Sequence, residues 1–446
     1  MFRRVLIANR GEIADRILRA CASLGIESVV AHSDADRDAP WLEAATDTVC
    51  VGPGRAGESY LDASAILQAA AQTDCQAVHP GYGFLSENAL FAARCEQQGL
   101  TFIGPKAGAI GRMGDKAAAK RTMAEHGLPV IPGSPGVLAG IDEAREEAAR
   151  VGYPILLKAS AGGGGKGMRL CHEPGQIQQA YESAALEARN AFGDASLYLE
   201  KLVEGARHIE FQVLCDAYGR GIHLGERDCS VQRNHQKLIE ESPSPALDDA
   251  LRQEIGTRVA AALARAGYVN AGTVEFLQDA DGSLYFMEVN ARLQVEHPVT
   301  EMVTGVDLVE QQFRVAAFEP LTLSQDDVRP SGHAIEFRIN AEDVEAGFRP
   351  DPGTIERFSP PAGEGVRWDS AVRQGYRIPP WYDSMIGKLI VHGATRDQAL
   401  DRAAEALGSL VIEGVKTTIG LHHRILAEEP FRAGRYDLAW LAGILE

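Results

Sequence analysis

Glu275-Phe276-Leu277-Gln278-Asp279-Ala280-Asp281-Gly282-Ser283-Leu284-Tyr285-Phe286-Met287-Glu288 folds back on itself, and how it does so decides the reading of the chain. Asp281-Gly282 is the dipeptide of a two-residue hairpin turn, where both central positions need positive φ. The flanks, residues 271–277 and 284–295, are rich in β-branched, aliphatic and aromatic side chains and read as two antiparallel strands. Counting outward from the turn, Ala280 faces Ser283, Leu277 faces Phe286 and Glu275 faces Glu288. Two carboxylates opposed on one sheet face repel each other and weaken the pair; a bound cation relieves them. Asn290, two residues past Glu288, shares that face. Two carboxylates, an amide oxygen and an incomplete ligand set describe Mg²⁺ (or Mn²⁺ in its place), completed by water and substrate phosphates.

The alternation runs on. Glu288, Asn290, Arg292, Gln294 and Glu296 are polar at one parity, while Val289, Ala291, Leu293 and Val295 are apolar at the other. An extended strand would set the polar series along one wall. Alternation alone also fits a half-exposed strand with its polar side in water. Opposed glutamates followed by an arginine and a further glutamate favour a metal site beside an anion site.

The 446 residues allow roughly three domains and set no limit on core formation. Hydrophobic residues make up 45% and charged residues 24%, an ordinary globular composition. The net charge of −18 argues against a protein that coats nucleic acid or an anionic membrane, and leaves room for a local basic pocket. The cysteines, Cys21, Cys50, Cys75, Cys95, Cys171, Cys215 and Cys229, are odd in number and form no C-x-x-C pair. That spacing argues against a zinc site or a disulfide framework and for reduced thiols in the cytoplasm. The basic start at Met1-Phe2-Arg3-Arg4 precedes an apolar run of residues 5–8 only, too short for a signal peptide. No segment approaches transmembrane length.

The chain opens strand, loop, helix, strand: residues 5–8, then Ile13, Ile17, Leu18, Cys21 and Leu24 at helical spacing up to Gly25, then residues 29–31. This is a βαβ start to a doubly wound α/β domain that continues to about residue 110. Its first loop, Asn9-Arg10-Gly11-Glu12, lacks the dinucleotide glycine fingerprint. Residues 79–88 form a glycine-rich loop, with Ser86 as cap for the helix that follows. Residues 115–126 read as a connecting helix, and Pro129, Pro132, Gly133, Pro135 and Gly136 mark a boundary. A smaller module follows to Val203, with a helix over 177–191 and a strand at 197–199. Further strands are expected at 333–340 and 385–392. No internal repeat, low-complexity tract or heptad run is evident.

Within the smaller module, Gly162-Gly163-Gly164-Gly165-Lys166-Gly167 formally satisfies G-x-G-x-x-G. The context is wrong for a dinucleotide site, because Met168-Arg169-Leu170-Cys171 reads as a strand and not a helix start. Lys166 precedes glycine, so the run is no Walker A loop either. What remains is a hairpin loop whose backbone N–H groups can close over phosphates, with Lys158 and Lys166 as point charges. A plain flexible turn is the plainer alternative, but so many glycines carry a large ordering cost.

At this point the chain resembles the biotin carboxylase subunit of acetyl-CoA carboxylase, a member of the ATP-grasp group, over nearly its whole length. The carrying stretches are residues 7–14, 79–88, the glycine run, Glu226-Arg227-Asp228-Cys229-Ser230, Arg233-Asn234-His235-Gln236-Lys237, residues 290–300, and Asp383-Ser384-Met385-Ile386-Gly387-Lys388. The resemblance implies an α/β ATP-grasp fold: an N-terminal Rossmann-like domain over 1–113, a linker helix over 114–130, a mobile lid over 131–203 and a C-terminal domain over 204–446. It also implies a homodimer.

The resemblance further implies that Lys116 and Lys158 hold phosphates of ATP while Gly163, Gly164, Gly165, Lys166 and Gly167 cover them. Glu200, Lys201 and Val203 would meet adenine, with Glu200 accepting from the exocyclic amine and Leu277 as the opposite wall; Leu438 would cap it. Val203 stands where the family more often has leucine. His208, Gln232 and His235 would contact ribose or phosphate, although each histidine alone reads as structural. Glu275, Glu288 and Asn290 would hold the metal. Lys237, Arg292, Gln294, the Val295 backbone and Glu296 would form a bicarbonate pocket, with Glu296 as general base. Tyr82 and Arg338 would meet biotin, Arg338 facing an enolate-like oxygen. From its local sequence alone, Arg338 reads instead as a surface ion pair with Glu336 or Glu342.

The implied activity is ATP-dependent carboxylation of biotin through carboxyphosphate, the first half-reaction of acetyl-CoA carboxylase in fatty-acid synthesis. No biotin-acceptor Met-Lys-Met and no carboxyltransferase region is present, so the biotin is expected on a separate biotin carboxyl carrier protein, with carboxyltransferase subunits as further partners. The alternatives are the biotin carboxylase of another acyl-CoA carboxylase, or another ATP-grasp carboxylate–amine ligase. An NAD-dependent dehydrogenase fails on the context of its glycines, and a silent nucleotide-binding partner on the completeness of the polar set.

Overall fold

Leu6 and Ile7 lie in the middle of a parallel sheet, which is why they form an unbroken apolar run with no exposed face. The computed structural model describes residues 1–160 and 167–445, residue 117 by its backbone alone. The first sheet takes β1 (Arg4–Ile7), β2 (Glu27–Ser33), β3 (Asp47–Gly52), β4 (Ala77–His79) and β5 (Thr101–Phe102) in the order β3-β2-β1-β4-β5, all parallel. Helix α1 (Gly11–Leu24) buries Ile13, Ile17, Leu18 and Cys21 and stops at Gly25, whose φ of 68° only glycine adopts readily. The doubly wound opening is therefore as the sequence implied. Ser86, expected as a cap, is not one: the helix Ala89–Gln97 is capped by Asn88, whose side chain accepts from the Phe91 N–H. The loop closes two residues later than the sequence suggested.

The helix Lys116–Glu125 follows, its first turn held by the Asp115 side chain. Next comes a small antiparallel sheet, β7-β6-β8, made of β6 (Ile155–Ala159), β7 (Arg169–Cys171) and β8 (Leu197–Lys201). The helix Ile177–Phe192 lays Ile177, Ala180, Ala184 and Ala188 at helical spacing onto Ile155, Leu157, Leu197 and Leu199. This module keeps its own apolar cluster.

The large sheet has eight antiparallel strands: β9 (Arg207–Cys215), β10 (Gly221–Arg233), β11 (Gln236–Ser242), β12 (Asn270–Gln278), β13 (Leu284–Asn290) and β14 (His333–Asn340), joined by Met385–Gly393 and Val366–Ser370. Their order is β13-β12-β9-β10-β11-β14, then Met385–Gly393, then Val366–Ser370. One apolar core runs from Leu6, Val29 and Phe102 through to Phe211, Val274 and Phe276, so the first sheet and the large one share an interior. No helix among the described residues is long and apolar enough to cross a membrane.

The β12–β13 hairpin departs from the count in two places. Asp279 pairs with Ser283, its N–H donating to the Ser283 carbonyl at 3.0 Å, and Gly282 N–H returns to the Asp279 carbonyl at 3.0 Å. Within the turn only Gly282 has positive φ, 85°. The connection is thus a three-residue loop and not a two-residue one. The Asp279 carboxylate sets it by accepting from the N–H groups of Asp281 (3.0 Å) and Ser283 (2.9 Å). Leu277 consequently faces Tyr285, not Phe286. A bulge at Met287 then restores the register, and Glu275 does face Glu288, with Thr273 opposite Asn290. The two departures cancel at the carboxylates.

Nor does the extended strand continue to residue 296. Strand β13 ends at Asn290, and Glu296 stands at the N-terminal boundary of the helix His297–Thr304. Between them Ala291 and Leu293 plug into the core while Arg292 and Gln294 turn the other way. The alternation separates core side chains from cleft side chains as far as Gln294 and then fails: Val295 is half-buried at the cleft, while Glu296 is fully buried.

Candidate active site

The polar series meets residues from all three parts of the fold in one cleft of about 1230 Å³. The large sheet supplies its floor, with Glu275, Glu288 and Asn290 on β12 and β13. The small module supplies Lys158, Met168 and Tyr198, and the loop after β4 supplies Tyr82 and Glu87. Lys116, Leu277, Leu438 and the arc Arg292, Gln294, Val295 and Glu296 also line it. So do Lys237 and Arg338 from β11 and β14, and His208 and Gln232 from β9 and β10.

His235 reaches the cleft from the tight turn between β10 and β11. Asn234 and His235 both have positive φ, 49° and 66°, the geometry of a type I′ turn. Asparagine accepts this readily; histidine does so at some cost, which suits a position under functional constraint.

Lys237 is the electrostatic centre. Its ammonium donates to Glu210 (2.7 Å), Glu296 (2.6 Å) and, more loosely, Glu275 (3.3 Å). Burial alone would lower its pKa, but Cys229, Glu210, Glu275 and Glu296 outweigh that and hold it well above the ordinary lysine value. Burial would likewise raise Glu296, yet Lys237, Arg338 and Arg227 hold its carboxyl well below the usual range. Arg338 Nη2 reaches Glu296 at 2.8 Å while its Nε donates to Glu240 at 2.6 Å. The local expectation of a surface pair with Glu336 or Glu342 is therefore corrected: Arg338 is largely buried and turns across the sheet to β11 and to Glu296.

The opposed carboxylates have cations on either side. Glu275 is held by Lys237 and by His208, whose Nε2 lies 3.2 Å away, and these keep it ionised despite burial. Glu288 meets Lys116 at 3.1 Å. Asn290 Oδ1 accepts from Arg292 Nη2 at 3.0 Å. Arg292 also grips Glu87 through Nε at 2.8 Å and Gln294 through Nη1 at 2.5 Å. The donors Glu275, Glu288 and Asn290 are hard oxygens on one sheet face, too few to satisfy an ion by themselves. This set suits Mg²⁺ sharing its coordination with substrate oxygens.

The nucleotide residues divide. Lys116, Lys158, His208, Gln232, His235, Leu277 and Leu438 come together in the cleft. Glu200, Lys201 and Val203 do not line it. The Glu200 carboxylate is bound by Lys120 (2.9 Å) and Lys158 (2.6 Å), and the Lys201 ammonium is bound by the Gly152 (3.0 Å) and Tyr153 (2.7 Å) carbonyls. Gly167, at φ 71°, closes the β6–β7 hairpin, its carbonyl accepting from the Ala159 N–H. Gly163, Gly164, Gly165 and Lys166 lie outside the described residues.

Several participants went unread. Glu210, fully buried, bridges Lys237 and the buried Arg227 (2.6 Å). Its signal was present: His208, Glu210 and Gln212 alternate with Ile209, Phe211 and Val213, the pattern read in 288–296. Glu240 and Glu87, which hold Arg338 and Arg292, lie far away in sequence; Glu87 falls in the 79–88 loop, but nothing local points it at Arg292.

A nucleotide-sized cleft between a three-stranded module and a large antiparallel sheet, floored by paired carboxylates and ringed by lysines, defines the ATP-grasp ligases. Three family profiles cover most of the chain: biotin carboxylase, N-terminal domain, over residues 1–110; carbamoyl-phosphate synthase L chain, ATP binding domain, over 115–324; and biotin carboxylase C-terminal domain, over 336–443. The chain is 52% identical over 440 residues to biotin carboxylase of Nostoc sp., covering 99% of this chain and 98% of that one. To biotin carboxylase 1 of Bacillus subtilis it is 50% identical over 442 residues, with the same coverage. Among solved structures, the biotin carboxylase domain dimer of Hydrogenobacter thermophilus 2-oxoglutarate carboxylase, in complex with MgADP, ADP and bicarbonate, matches with a TM-score of 0.93 at 48% identity, over 100% of this chain and 99% of that one. The chain belongs to the biotin carboxylase family of enzymes.

Proposed function

We propose that the chain carboxylates biotin borne on a separate carrier protein, spending ATP and bicarbonate with Mg²⁺, and that it serves the first half-reaction of acetyl-CoA carboxylase in fatty-acid synthesis. A homodimer working in the cytoplasm with carrier and carboxyltransferase subunits completes the reading. The observation that carries it is Glu296, gripped by Lys237 and Arg338 a short way from the opposed Glu275 and Glu288. The divisions at 1–113, 114–130, 131–203 and 204–446 are kept as working domains, the third closing over ATP.

Lys116 and Lys158 now neutralise Glu288 and Glu200. Nucleotide phosphates would draw both ammonium groups away and leave Glu288 free, with Glu275 and Asn290, to hold the ion. Mg²⁺ supplies charge neutralisation at the phosphate oxygens. Bicarbonate is a planar oxyanion that matches the Arg292 fork, with Gln294 and the Val295 backbone beside it. Glu296 stays ionised at neutral pH, so it can accept the bicarbonate proton. Its weak basicity means the proton moves as oxygen attacks the γ-phosphorus and not before. ADP and carboxyphosphate result. Carboxyphosphate breaks into CO₂ and phosphate, the phosphate takes the proton from the ureido N1, and N1 attacks CO₂. Arg338 faces the oxygen on which charge develops, and Tyr82 contacts the ring.

The test is ADP release with bicarbonate and free biotin each present or withheld. Release should require bicarbonate and rise with biotin, and Glu296→Ala should cut it by about 100-fold or more. Release indifferent to bicarbonate would favour a carboxylate–amine ligase instead. The match to a domain of 2-oxoglutarate carboxylase supports a second reading, in which another transferase receives the CO₂. Offering the carboxylated carrier to acetyl-CoA and 2-oxo-acid transferases separates the two.

A further inference from the structure

Lys388 takes no part in the chemistry above, yet it is fully buried, with its Nζ 5.9 Å from the centre of the Tyr82 ring. It sits on Met385–Gly393 directly opposite Arg338 on β14. The two neighbours hold consecutive residues of the same segment: Arg338 grips the Glu296 carboxylate at 2.8 Å, and Lys388 Nζ donates to the Val295 carbonyl at 2.8 Å. Lys388 also pairs with Glu12 Oε1 at 3.1 Å. Glu12 lies in the first turn of α1, and the same oxygen accepts from the Tyr82 hydroxyl. Its other oxygen, Oε2, is buried without a hydrogen-bond partner.

Stability alone explains this arrangement poorly. A buried ion pair often contributes no more than apolar side chains of the same volume would, and an unpartnered buried oxygen adds a penalty. Asp369, the cross-strand neighbour of Lys388 on its other side, is already held by Arg367 (2.6 Å) and Arg19 (3.0 Å), so it does not account for Lys388 either. What the pair does is geometric. It ties the backbone at Val295, on the bicarbonate side, to the phenol of Tyr82, on the biotin side, across the boundary between the first domain and the large sheet.

We infer that Lys388 and Glu12 are positioning residues that set the bicarbonate segment and the Tyr82 loop in register with each other, so that one buried pair fixes the distance between the two substrates. This rests on the biotin carboxylase reading given above. The experiment measures steady-state ADP release for wild type, Glu12→Gln, Lys388→Met and the double variant, with bicarbonate, free biotin and ATP varied in turn and folding checked by thermal melting. Glu12→Gln and Lys388→Met should each raise KM for both bicarbonate and biotin by about tenfold, the scale on which supporting groups act, and leave KM for ATP within about twofold. The double variant should be no worse than the poorer single one, because the pair acts as a unit. Should Lys388→Met fail to fold, Glu12→Gln decides by itself, since it keeps the shape. A folded Glu12→Gln with all three KM values near wild type overturns the inference, as does a parallel rise in KM for ATP. Wild type that releases no bicarbonate-dependent ADP would overturn the functional reading instead.

Discussion

Glu296 owes its charge to three cations, and the cost of gathering so much charge falls on residues behind it. Glu336 is fully buried on β14, neither of its carboxylate oxygens has a hydrogen-bond partner, and it lies directly opposite Glu240 on β11. Burial pushes Glu336 well above the ordinary value, with Lys388 offsetting part and Glu240 adding to it. Burial likewise pushes Glu240 up to about 7. A folded-state pKa raised above the unfolded one gives stability that is full below the unfolded value and is lost as pH rises through the folded one. Melting temperature should therefore fall between the ordinary carboxylate range and pH 7 to 8. Glu336→Gln removes the like-charged neighbour and should flatten that fall without lowering stability at pH 8, as thermal melts across pH would record. A loss of about 3 kcal/mol at every pH, the scale of a broken buried pair, would contradict it. None of this was legible beforehand. In the sequence Glu336 is simply the nearest acid to Arg338, and only the strand order reveals that Glu240 takes the arginine.

At the scale of elements, the sequence announces periodicity well and exact register poorly. Helix α1 and the helix Ile177–Phe192 follow directly from apolar spacing, because burial on one face leaves a regular mark. The β12–β13 hairpin was identified from Asp-Gly, but the dipeptide rule does not see the Asp279 side chain that adds a residue to the loop, or the bulge at Met287 that takes it back. The opposed carboxylates make a direct prediction. Glu288→Gln should leave the melting temperature without metal unchanged or slightly raised, because like charges across a strand pair are relieved. It should also abolish most of the stabilisation that Mg²⁺ and ATP confer together, read as the melting shift on adding both. A wild-type shift would remove Glu288 from the metal site.

Across the whole molecule, the first and large sheets share one interior while the small module keeps its own smaller one, where five of the twelve buried residues described are alanine. Small side chains bury little apolar area each, so this module should open at a lower free energy than the rest. Amide exchange should be faster in β6 and β8 than in β9 and β12, and Mg²⁺ with a non-hydrolysable ATP analogue should slow it in the module far more than in the large sheet. Equal protection in both, with or without nucleotide, would tell against a separate lid. The Pro/Gly cluster at 129–136 is a local signal for a boundary; the shared core and the ion pairs between distant strands are not local, and only the fold brings them together. On the function proposed above, Glu296, held by Lys237 and Arg338, takes the proton from bicarbonate as ATP is cleaved. Isotopically labelled bicarbonate, ATP, Mg²⁺ and free biotin should yield labelled, acid-labile carboxybiotin in step with ADP for the wild type, and neither product for Glu296→Ala. Carboxybiotin formed by Glu296→Ala at the wild-type rate would contradict the account.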